Sequence, residues 1–541
     1  MKVPFLAGAI AATLIGPAYA QDKISSDLER IQIVDGSAAY RVMVVMRQPK
    51  PGLSPSAAFA SPAGYLAGTL DEDALTTRSI ADLPVAVAEV TEEGLSKLTD
   101  DPNVAMVLPD LPIALPDFDV ELSVSDSEAL NAVTNSSGAG TMIAVLDTGT
   151  DLDHPAFQGK NIVEACFSTN SSNVYRVESL CPNQTPISTI AGAGRDCDEN
   201  INGCNHGTHV ASIALGNSNR LKGVAPDADL MSIQVFTKFD DPGVCGQRRP
   251  CVRSFPSDQI EALNFVFDNL DNYNIASINM SIGGGRHLTS CDATSPLASI
   301  VTRLAARGVP SAIASGNDGF FNAVASPGCI STAITVTATN ASGQIDISYA
   351  NMSGDVDIAA RGTRVFGALP NGRYGRLTGT SMATPSVAGL LAVLTGIRPE
   401  ITISEVNRTI NLAGDLVTDP RTNVAVPEYD LAGSIQLVEE MNVQSVAAVQ
   451  PLPQSAEDLS FLNSRAISIT PQDSTFSPET LENLARIFPR AIISADRSNS
   501  VTIEDFGGFT PQSIEGIRDL IGPDALISDE TLSTTFPQLS K

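Results

Sequence analysis

The sequence contains no tryptophan, only four histidines and few basic side chains. With 33 Lys and Arg residues against 61 Asp and Glu residues, its formal net charge is −28. A surface of this charge repels phosphate backbones, so we expect no nucleic acid partner. Because aromatic residues make up only 5% of the chain, its cores must be built mainly from aliphatic side chains.

Beyond the first residues the sequence lacks any apolar run of bilayer length, so no membrane span is expected in the mature chain. At the N-terminus Lys2 is followed by the apolar run Val3 to Ile15 and by Ala18-Tyr19-Ala20. This order is typical of a cleavable secretory signal peptide, here residues 1–20. A membrane anchor is the alternative, and the short run and the small residues disfavour it. We therefore expect a secreted protein, either extracellular or periplasmic.

Cysteine is absent from both ends of the chain, since all eight cysteines lie between Cys166 and Cys329. An even number in an exported chain predicts disulfide bonds. Near neighbours suggest Cys197 with Cys204 and Cys245 with Cys251, while the other pairing stays open. A zinc site is the alternative, but no C-x-x-C pair occurs to support it.

The length of 541 residues predicts several domains. Residues 21–118 have the pattern of a small α+β domain, with strands at Tyr40 to Met46 and Val104 to Leu108 and a helix at Val90 to Leu98. Residues 119–437 alternate between short apolar strands and helices. This alternation predicts an α/β domain whose mostly parallel sheet is covered by helices on both faces.

Residues 438–541 form a C-terminal extension in which segments 476–494 and 509–528 resemble each other. Each segment has Ser or Thr and then Pro, the residues that begin helices, followed by an apolar stripe and a short apolar strand. The pattern predicts a small α/β extension with two helix-strand repeats. It is either a packed appendage or a docking module.

Four polar residues in the central domain follow strands or begin helices. Asp147 ends an apolar strand, His206 lies in Asn-His-Gly-Thr-His, Asn317 follows another strand, and Ser381 opens an apolar helix. Ligands gather at the carboxyl ends of strands in parallel sheets, so these side chains can share one edge. Each alone has a simpler explanation, as a loop residue, a structural histidine or a helix cap.

Together these four residues satisfy the requirements of a serine nucleophile. A serine hydroxyl needs an adjacent imidazole to take its proton, and the imidazole needs a carboxylate to orient it. The developing oxyanion needs fixed donors, which an Asn side chain and the amides of a helix N-terminus supply. The joint occurrence therefore favours nucleophilic catalysis over the separate explanations.

The segments around these residues resemble the signatures of the subtilisin-like serine proteases, the subtilases. They are D-T-G at 147–149, H-G-T-H-V-A at 206–211, S-G-N at 315–317 and G-T-S-M-A-T-P at 379–385. The chain order Asp, His, Ser is also that of subtilisin. The resemblance implies a subtilisin-like three-layer fold over residues 119–437 and the activity of a secreted serine endopeptidase on proteins and peptides.

The resemblance also implies a role for each matching residue. Asp147 orients the imidazole, His206 is the general base and acid, and Ser381 is the nucleophile. Asn317 stabilises the oxyanion together with the backbone amide of Ser381, and His209 is structural.

Two further segments resemble the walls that bind substrate in this family. Ser281, Ile282 and Gly283 match the strand that pairs with the extended substrate, and Ala314, Ser315 and Gly316 match the other wall of the primary pocket. Ala325 is the candidate for the base of that pocket, which predicts an apolar or permissive preference.

Residues 21–118 resemble the inhibitory propeptide of subtilases, a small ferredoxin-like domain. The closest match runs from Asp101 to Asp110. The resemblance implies that the chain carries its own intramolecular inhibitor and cleaves itself between Asp110 and Ser125. The mature enzyme is expected to be a monomer.

No cofactor is expected for catalysis, but subtilases often hold structural calcium. Asp198, Asn200 and Asn202 match the first half of a calcium loop, whereas its distal Glu is missing. Because Cys197 and Cys204 flank this segment, a disulfide-constrained loop explains it equally well, and the metal ligands stay open.

Three other functions fit the sequence less well. An acid protease with Glu in place of His is disfavoured by His206, and an inactive scaffold by the complete set of four residues. An autotransporter barrel is disfavoured because the extension is short and its apolar spacing is helical.

Overall fold

The computed structural model describes residues 39–47, 61–80, 83–115, 121–122, 128–129, 136–447, 466–470, 492–495, 501–504 and 526–529. The predicted signal peptide and the helical parts of the predicted C-terminal repeats lie outside these residues. By its internal contacts the chain divides into two units, Met1–Val443 and Gln444–Lys541. The predicted boundary after residue 437 falls within a helix that runs from Leu431 to Ala447.

The first unit begins with a small module, called the N-terminal module below. Its elements are β1 (Ala39–Met46), α1 (Pro62–Leu70), β2 (Ala74–Ser79), β3 (Val85–Thr91), α2 (Glu92–Asp100) and β4 (Val104–Pro109). They form an antiparallel sheet in the order β2-β3-β1-β4. This is a β-α-β-β-α-β arrangement. The helix predicted from Val90 begins only at Glu92, because Val90 and Thr91 complete β3 and the Thr91 hydroxyl caps the helix.

The two faces of this sheet have different partners. Val42, Val44 and Val90 belong to a core shared with Leu66 and Leu98 of the module's own helices. Residues of the opposite face belong to the main core of the first unit, among them Met43, Val87 and Leu108. Both faces of the module's sheet are therefore packed, one against its own helices and the other against the rest of the unit.

Three short strands follow the module: β5 (Ile113–Ala114), β6 (Glu121–Leu122) and β7 (Glu128–Ala129). The remaining strands of the first unit are β8 (Met142–Asp147), β9 (Ile162–Phe167), β10 (Val177–Ser179), β11 (Ile187–Ser188), β12 (Leu221–Lys222), β13 (Asp229–Gln234), β14 (Thr237–Phe239), β15 (Cys251–Ser254), β16 (Ile275–Met280), β17 (Gly284–His287), β18 (Ser311–Ala314), β19 (Val324–Ser326), β20 (Ile334–Thr339), β21 (Ile358–Arg361), β22 (Val365–Leu369), β23 (Arg373–Leu377), β24 (Leu416–Thr418) and β25 (Ala425–Pro427). Its further helices are α3 (His206–Leu215), α4 (Pro242–Cys245), α5 (Pro256–Asp268), α6 (Ala298–Ala306), α7 (Thr380–Ile397), α8 (Ile403–Ala413) and α9 (Leu431–Ala447).

The central sheet has eight strands in the order β11-β9-β13-β8-β16-β18-β20-β21. All neighbouring pairs are parallel except β11 with β9. Alternate residues of β8 enter two different cores: Ile143 and Val145 pack with α3 and α7, whereas Ala144 and Leu146 pack with α5 and α6. The architecture is therefore three-layered, with helices on both faces of a mixed, mostly parallel sheet.

Helix α7 is the only helix among the described residues that has the length and hydropathy of a membrane span. It is a core helix here, because 83% of that window is buried inside the protein. Parallel strands covered on both faces require such apolar helices.

All eight cysteines form disulfides: Cys166 with Cys181, Cys197 with Cys204, Cys245 with Cys251 and Cys291 with Cys329. The two pairings suggested by the spacing are present. A cysteine zinc site is excluded, because no thiolate is left to bind a metal.

The second unit contains a four-stranded antiparallel sheet of β26 (Ala466–Thr470), β27 (Ile492–Ala495), β28 (Val501–Glu504) and β29 (Leu526–Asp529). Its order is β27-β28-β26-β29. When the strands of each sheet are numbered along the chain, both this sheet and that of the N-terminal module have the order second, third, first, fourth. The strands that end the two predicted repeats lie in β27 and β29.

Candidate active site

Asp147 and His206 form a buried pair at the carboxyl end of β8. The imidazole Nδ1 lies 2.8 Å from Asp147 Oδ1 and 3.0 Å from Oδ2. Both side chains are almost completely buried, with 1% and 0% exposed. The backbone amide of Thr148 also donates to Asp147 Oδ1, at 2.7 Å. With Nδ1 held by a carboxylate, the other ring nitrogen is the one that can accept a proton.

Glycine at position 207 allows α3 to reach this strand end. A Cβ atom at 207 would lie 2.2 Å from the carbonyl oxygen of Gly149 and 3.1 Å from Asp147 Oδ1. The Gly207 amide donates to the Thr148 hydroxyl at 2.9 Å. The glycine beside His206 is therefore needed for the close approach that joins the imidazole to Asp147.

Ser381 lies in the first turn of α7 and is tied to Ser281 by two hydrogen bonds. The Ser281 hydroxyl donates to the Ser381 carbonyl oxygen at 2.9 Å, and the Ser381 hydroxyl donates to the Ser281 carbonyl oxygen at 3.3 Å. Within α7, the normal donor to the Ser381 carbonyl would be the amide of residue 385, which is proline. Ser281 thus replaces the hydrogen bond that Pro385 cannot make.

The strand register places the residue that holds His206 next to the residue that holds Ser381. In the parallel pair β8 and β16, Leu146 is opposite Met280. The next residues are Asp147, which binds His206, and Ser281, which binds Ser381. Because neighbouring strands are about 4.8 Å apart, the first residues of α3 and α7 are held at adjacent positions on one sheet edge.

Asn317 is oriented by Thr380. Its side-chain oxygen accepts hydrogen bonds from the Thr380 amide at 2.9 Å and from the Thr380 hydroxyl at 2.7 Å. These two donors identify the oxygen of the amide group, so Nδ2 points the other way. A Cβ atom on Gly379 would lie 2.7 Å from that nitrogen. The same Cβ atom would lie 3.7 Å from the backbone nitrogen of Ser381, so Asn317 Nδ2 and the Ser381 amide lie near each other as hydrogen-bond donors.

The two predicted substrate walls meet at Ala325. A Cβ atom on Gly283 would lie 3.0 Å from the Ala325 Cβ, and one on Gly316 would lie 2.9 Å from it. The Ala325 amide donates to the Ser315 carbonyl oxygen at 2.8 Å, and Ile282 and Ala314 are fully buried. The predicted base thus lies between the predicted walls, and its side chain is small and apolar.

His209 is completely buried, one turn after His206 on α3. Its Nε2 lies 3.3 Å from the Gly375 carbonyl oxygen, and its ring packs where a Cβ atom of Gly367 would otherwise stand. Burial lowers the pKa of His209 to about 3, and the neighbouring His206 adds to this effect. A neutral ring locked against β22 fits the structural role expected for it.

The Asp198 segment has the geometry of a disulfide-closed turn. Asp198 Oδ1 accepts hydrogen bonds from the Asn200 amide at 2.9 Å and from Asn200 Nδ2 at 2.7 Å. A calcium site needs oxygen ligands facing one point, whereas Asn200 turns its nitrogen toward the carboxylate. The residues present do not fit a calcium ion.

Three features of the site were not predicted from the sequence. Thr380 orients Asn317, and its place inside the Gly-Thr-Ser motif was the available signal. Asn351 holds the wall, since its Nδ2 donates to the Ser315 carbonyl oxygen at 3.0 Å and its Oδ1 accepts from the Asp318 amide at 3.0 Å. No spacing pattern points to Asn351. Strand β15 was missed because Cys251 to Ser254 is short and polar.

Comparisons to known proteins identify the family of this chain. The chain belongs to the subtilase family, whose family model matches residues 138–423, more than half of its length. It is accordingly a subtilisin-family serine endopeptidase, a hydrolase with a subtilase-like fold. Subtilases need no catalytic cofactor.

Individual relatives are distant. Subtilisin NAT from Bacillus subtilis subsp. natto is 29% identical over 327 residues, which are 59% of this chain and 73% of the relative. Alkaline serine exoprotease A from Vibrio alginolyticus is 26% identical over 420 residues, 73% of this chain and 68% of the relative. A solved structure of a mutant of the protease domain of PatA is 24% identical with a TM-score of 0.44, covering 57% of this chain and 99% of that chain.

Proposed function

We propose that this chain is a secreted proenzyme that hydrolyses peptide bonds with Asp147, His206 and Ser381 as its catalytic triad. The observation that supports the proposal is the buried Asp147–His206 pair at the end of β8, next to the strand that leads to Ser281, which is hydrogen-bonded to Ser381. A serine alone is a poor nucleophile at neutral pH, and this arrangement supplies the base that activates it.

In the first step the Ser381 oxygen attacks the carbonyl carbon of the scissile bond and its proton passes to His206 Nε2. Asp147 stabilises the imidazolium that forms and keeps Nδ1 protonated. The negative charge develops on the former carbonyl oxygen, where Asn317 Nδ2 and the Ser381 amide donate hydrogen bonds to it. His206 then gives its proton to the leaving amine, which leaves an acyl group on Ser381.

In the second step water repeats the sequence in reverse. His206 takes a proton from the water, the resulting hydroxide attacks the acyl carbon, and Ser381 leaves with the proton from His206. The products are a carboxylic acid and an amine, and the enzyme is regenerated. The substrate backbone lies in extended form along Ser281, Ile282 and Gly283, with one side chain entering the pocket between the two walls over Ala325.

The domain limits proposed are a signal peptide at 1–20, an inhibitory ferredoxin-like propeptide at 21–118, a catalytic domain at 119–437 and an extension at 438–541. The propeptide role is supported by β5, whose residues Ile113 and Ala114 pair with Ser254 and Arg253 of β15 by strand addition. In the chain that still carries this segment, Ser381 is only 2% exposed.

Polar contacts across the interface also support inhibition by the N-terminal module. Glu89 accepts hydrogen bonds from the Ser172 hydroxyl at 2.5 Å and from the Asn173 amide at 2.7 Å. Asp110 accepts from the Ser257 amide at 3.0 Å, at the start of α5, where an anion also favours the helix dipole. Self-cleavage between Asp110 and Ser125 would allow the N-terminal module to dissociate and leave the substrate cleft open.

Secretion is supported by the four disulfides, which persist in an oxidising compartment, extracellular or periplasmic. The mature enzyme is proposed to act as a monomer on proteins and peptides.

The proposal is tested by comparing the purified wild type with Ser381→Ala. We expect the wild type to lose about a hundred residues from its N-terminus and to cut a peptide library, while the variant stays full length and inert. Intact mass and library hydrolysis measure both. A wild type that stays inactive after its N-terminal region has been removed by another protease would contradict the proposal.

A further inference from the structure

Leu115 is the residue that follows the strand paired with β15. Ile113 is opposite Ser254 and Ala114 is opposite Arg253, so the chain arrives at residue 115 in extended form along this edge. Although Leu115 follows an edge strand in a connecting segment, it is only 9% exposed and belongs to one of the two large core clusters of the first unit. Its side chain therefore occupies an apolar site.

Gly203 and Val252 form a wall of this site. A Cβ atom on Gly203 would lie 3.0 Å from Leu115 Cδ1 and 2.7 Å from Val252 Cγ2. Both distances are shorter than ordinary carbon contacts, so the space over Gly203 is already filled by the leucine and the valine. Gly203 has a φ of +105°, a conformation that L side chains rarely adopt.

The wall joins two disulfide-closed loops. Gly203 lies in the loop closed by Cys197 and Cys204, and Val252 follows the loop closed by Cys245 and Cys251. Two backbone hydrogen bonds connect them: the Asn202 amide donates to Pro250 at 3.0 Å, and the Val252 amide donates to Asn202 at 3.2 Å. Closed and connected loops have little freedom to widen, so the size of the site is set by its side chains.

The same loop leads directly to the general base. The His206 amide donates to the Gly203 carbonyl oxygen at 3.1 Å. A side chain lying over Gly203 is thus one hydrogen-bonded turn from the catalytic imidazole.

We propose that Gly203 and Val252 are specificity-determining residues that select a leucine-sized aliphatic side chain. The selected substrate residue is the one that directly follows the two residues paired with β15. The inference rests on the proposed function, because it takes residues 113–115 to lie in the cleft as a substrate does.

The substrate class follows from the lining. Two residues before Leu115, Ile113 lies against Gly284, where a Cβ atom would be 3.1 Å from Ile113 Cγ2. Preferred substrates are therefore extended protein segments with aliphatic side chains at these two positions. Acidic side chains are excluded from the Gly203 site, because a buried charge without a partner is strongly unfavourable.

The test uses peptides with the sequence of residues 108–122, in which Leu115 is kept or replaced by Ala, Phe or Asp. They compete with fluorescent casein for the processed wild-type enzyme. We expect the Leu peptide to compete best, the Ala peptide about tenfold less well because it buries less apolar area, and the Asp peptide least.

Two enzyme variants test the wall itself. Val252→Ala enlarges the site and should shift the preference from Leu toward Phe by about tenfold. Gly203→Ala should make the Ala peptide a better competitor than the Leu peptide. Because the positive φ of residue 203 strains any side chain placed there, Val252→Ala serves as the independent variant. Val244→Ala is the matched control, since Val244 directly precedes the loop closed by Cys245 and Cys251 but packs against the cluster of Tyr175, Phe239 and Phe255. It should keep the wild-type order.

The outcomes separate the two proposals. If casein is cut but the Leu and Ala peptides compete equally, or Val252→Ala keeps the wild-type order, the inference is wrong and the proposed function stands. If the processed wild type cuts neither casein nor peptides, the proposed function fails and the inference fails with it.

Discussion

Replacing Arg78 by Met should loosen the N-terminal module from α5. Arg78 Nη1 lies 2.6 Å from Glu261 Oε1, and Nη2 lies 3.3 Å from Asp258 Oδ1. The side chains of Glu261 and Asp258 are 4% and 1% exposed, and that of Arg78 is 29% exposed. Methionine keeps most of the volume of the Arg78 side chain but removes the guanidinium that both buried carboxylates contact.

The size of the effect follows from this burial. Removing one partner of a buried ion pair costs about 3–5 kcal/mol. Since Arg78 is partly exposed, solvent screening reduces this, and we expect about 2 kcal/mol. That corresponds to roughly thirtyfold more frequent undocking.

The effect should depend on pH. Burial raises the pKa of Glu261 to about 7, against the opposing effect of Arg78. A group whose pKa is higher in the docked state keeps its proton there, so docking is favoured at low pH and weakens as the pH rises through 7. The loss in Arg78→Met should therefore be smaller near pH 5, where Glu261 is neutral, than near pH 8.

The assay is amide hydrogen exchange of β2 and α5 in the Ser381→Ala background, in which we expect no self-cleavage. We expect exchange about thirtyfold faster in Arg78→Met at pH 8 and restoration of most protection by adding Glu261→Gln. The control is Lys97→Met, which removes a cation paired with Asp73 on the module's surface and should have little effect. Equal exchange in Arg78→Met and Lys97→Met at pH 8 would show that the ion pairs of Arg78 do not hold the module against α5.

Three further predictions concern the catalytic core. Asn317→Ala should lower kcat about a hundred- to a thousandfold with little change in KM, by peptide kinetics; this magnitude is the one known for loss of the corresponding asparagine in subtilisin. Ser281→Ala should lower the free energy of unfolding by about 1–3 kcal/mol in urea titrations, because Pro385 offers the Ser381 carbonyl no other donor. His209→Asn should weaken the pH dependence of the free energy of unfolding. Because the pKa of His209 is low in the folded state, the wild type loses up to about 1.4 kcal/mol for each pH unit below pH 6.5. Urea titrations at pH 7 and pH 5 should therefore give a smaller difference in the variant than in the wild type.

The parts of the fold that follow from local rules could be predicted from the sequence. Apolar strands such as Met142–Asp147 and Ser311–Ala314 end at glycine or polar residues, so their positions and their shared edge were recognisable. The sequence predicts helices from Asp258 to Asn269 and from Leu297 to Arg307, and α5 and α6 lie within two residues of these segments. Caps and periodicity define helix ends only to that precision.

Contacts between distant segments could not be predicted in the same way. Eight cysteines allow 105 pairings, and only those closing short loops were favoured by spacing. Ser281 was expected to bind substrate, but its bond to the Ser381 carbonyl depends on the meeting of β16 with a proline-containing helix. The ion pairs of Arg78 join residues about 180 positions apart, a separation over which no sequence period operates.

The shared strand order of the two small sheets was also not recognised. The repeats at 476–494 and 509–528 indicated helix-strand units, but strand order depends on which edges pair. In both sheets the first and third strands are central and the second and fourth lie at the edges. Four strands of four or five residues in β26 to β29 carry too few residues to indicate that order.

The most direct test of the central claim is labelling of the processed enzyme with a fluorophosphonate, followed by mass spectrometry of its peptides. Such a probe reacts with a serine only when an adjacent base activates it. The account predicts one adduct per chain, on Ser381, with loss of proteolysis in step with labelling and no adduct in Ser381→Ala or His206→Ala. An adduct on another residue, or full proteolysis by Ser381→Ala, would contradict it.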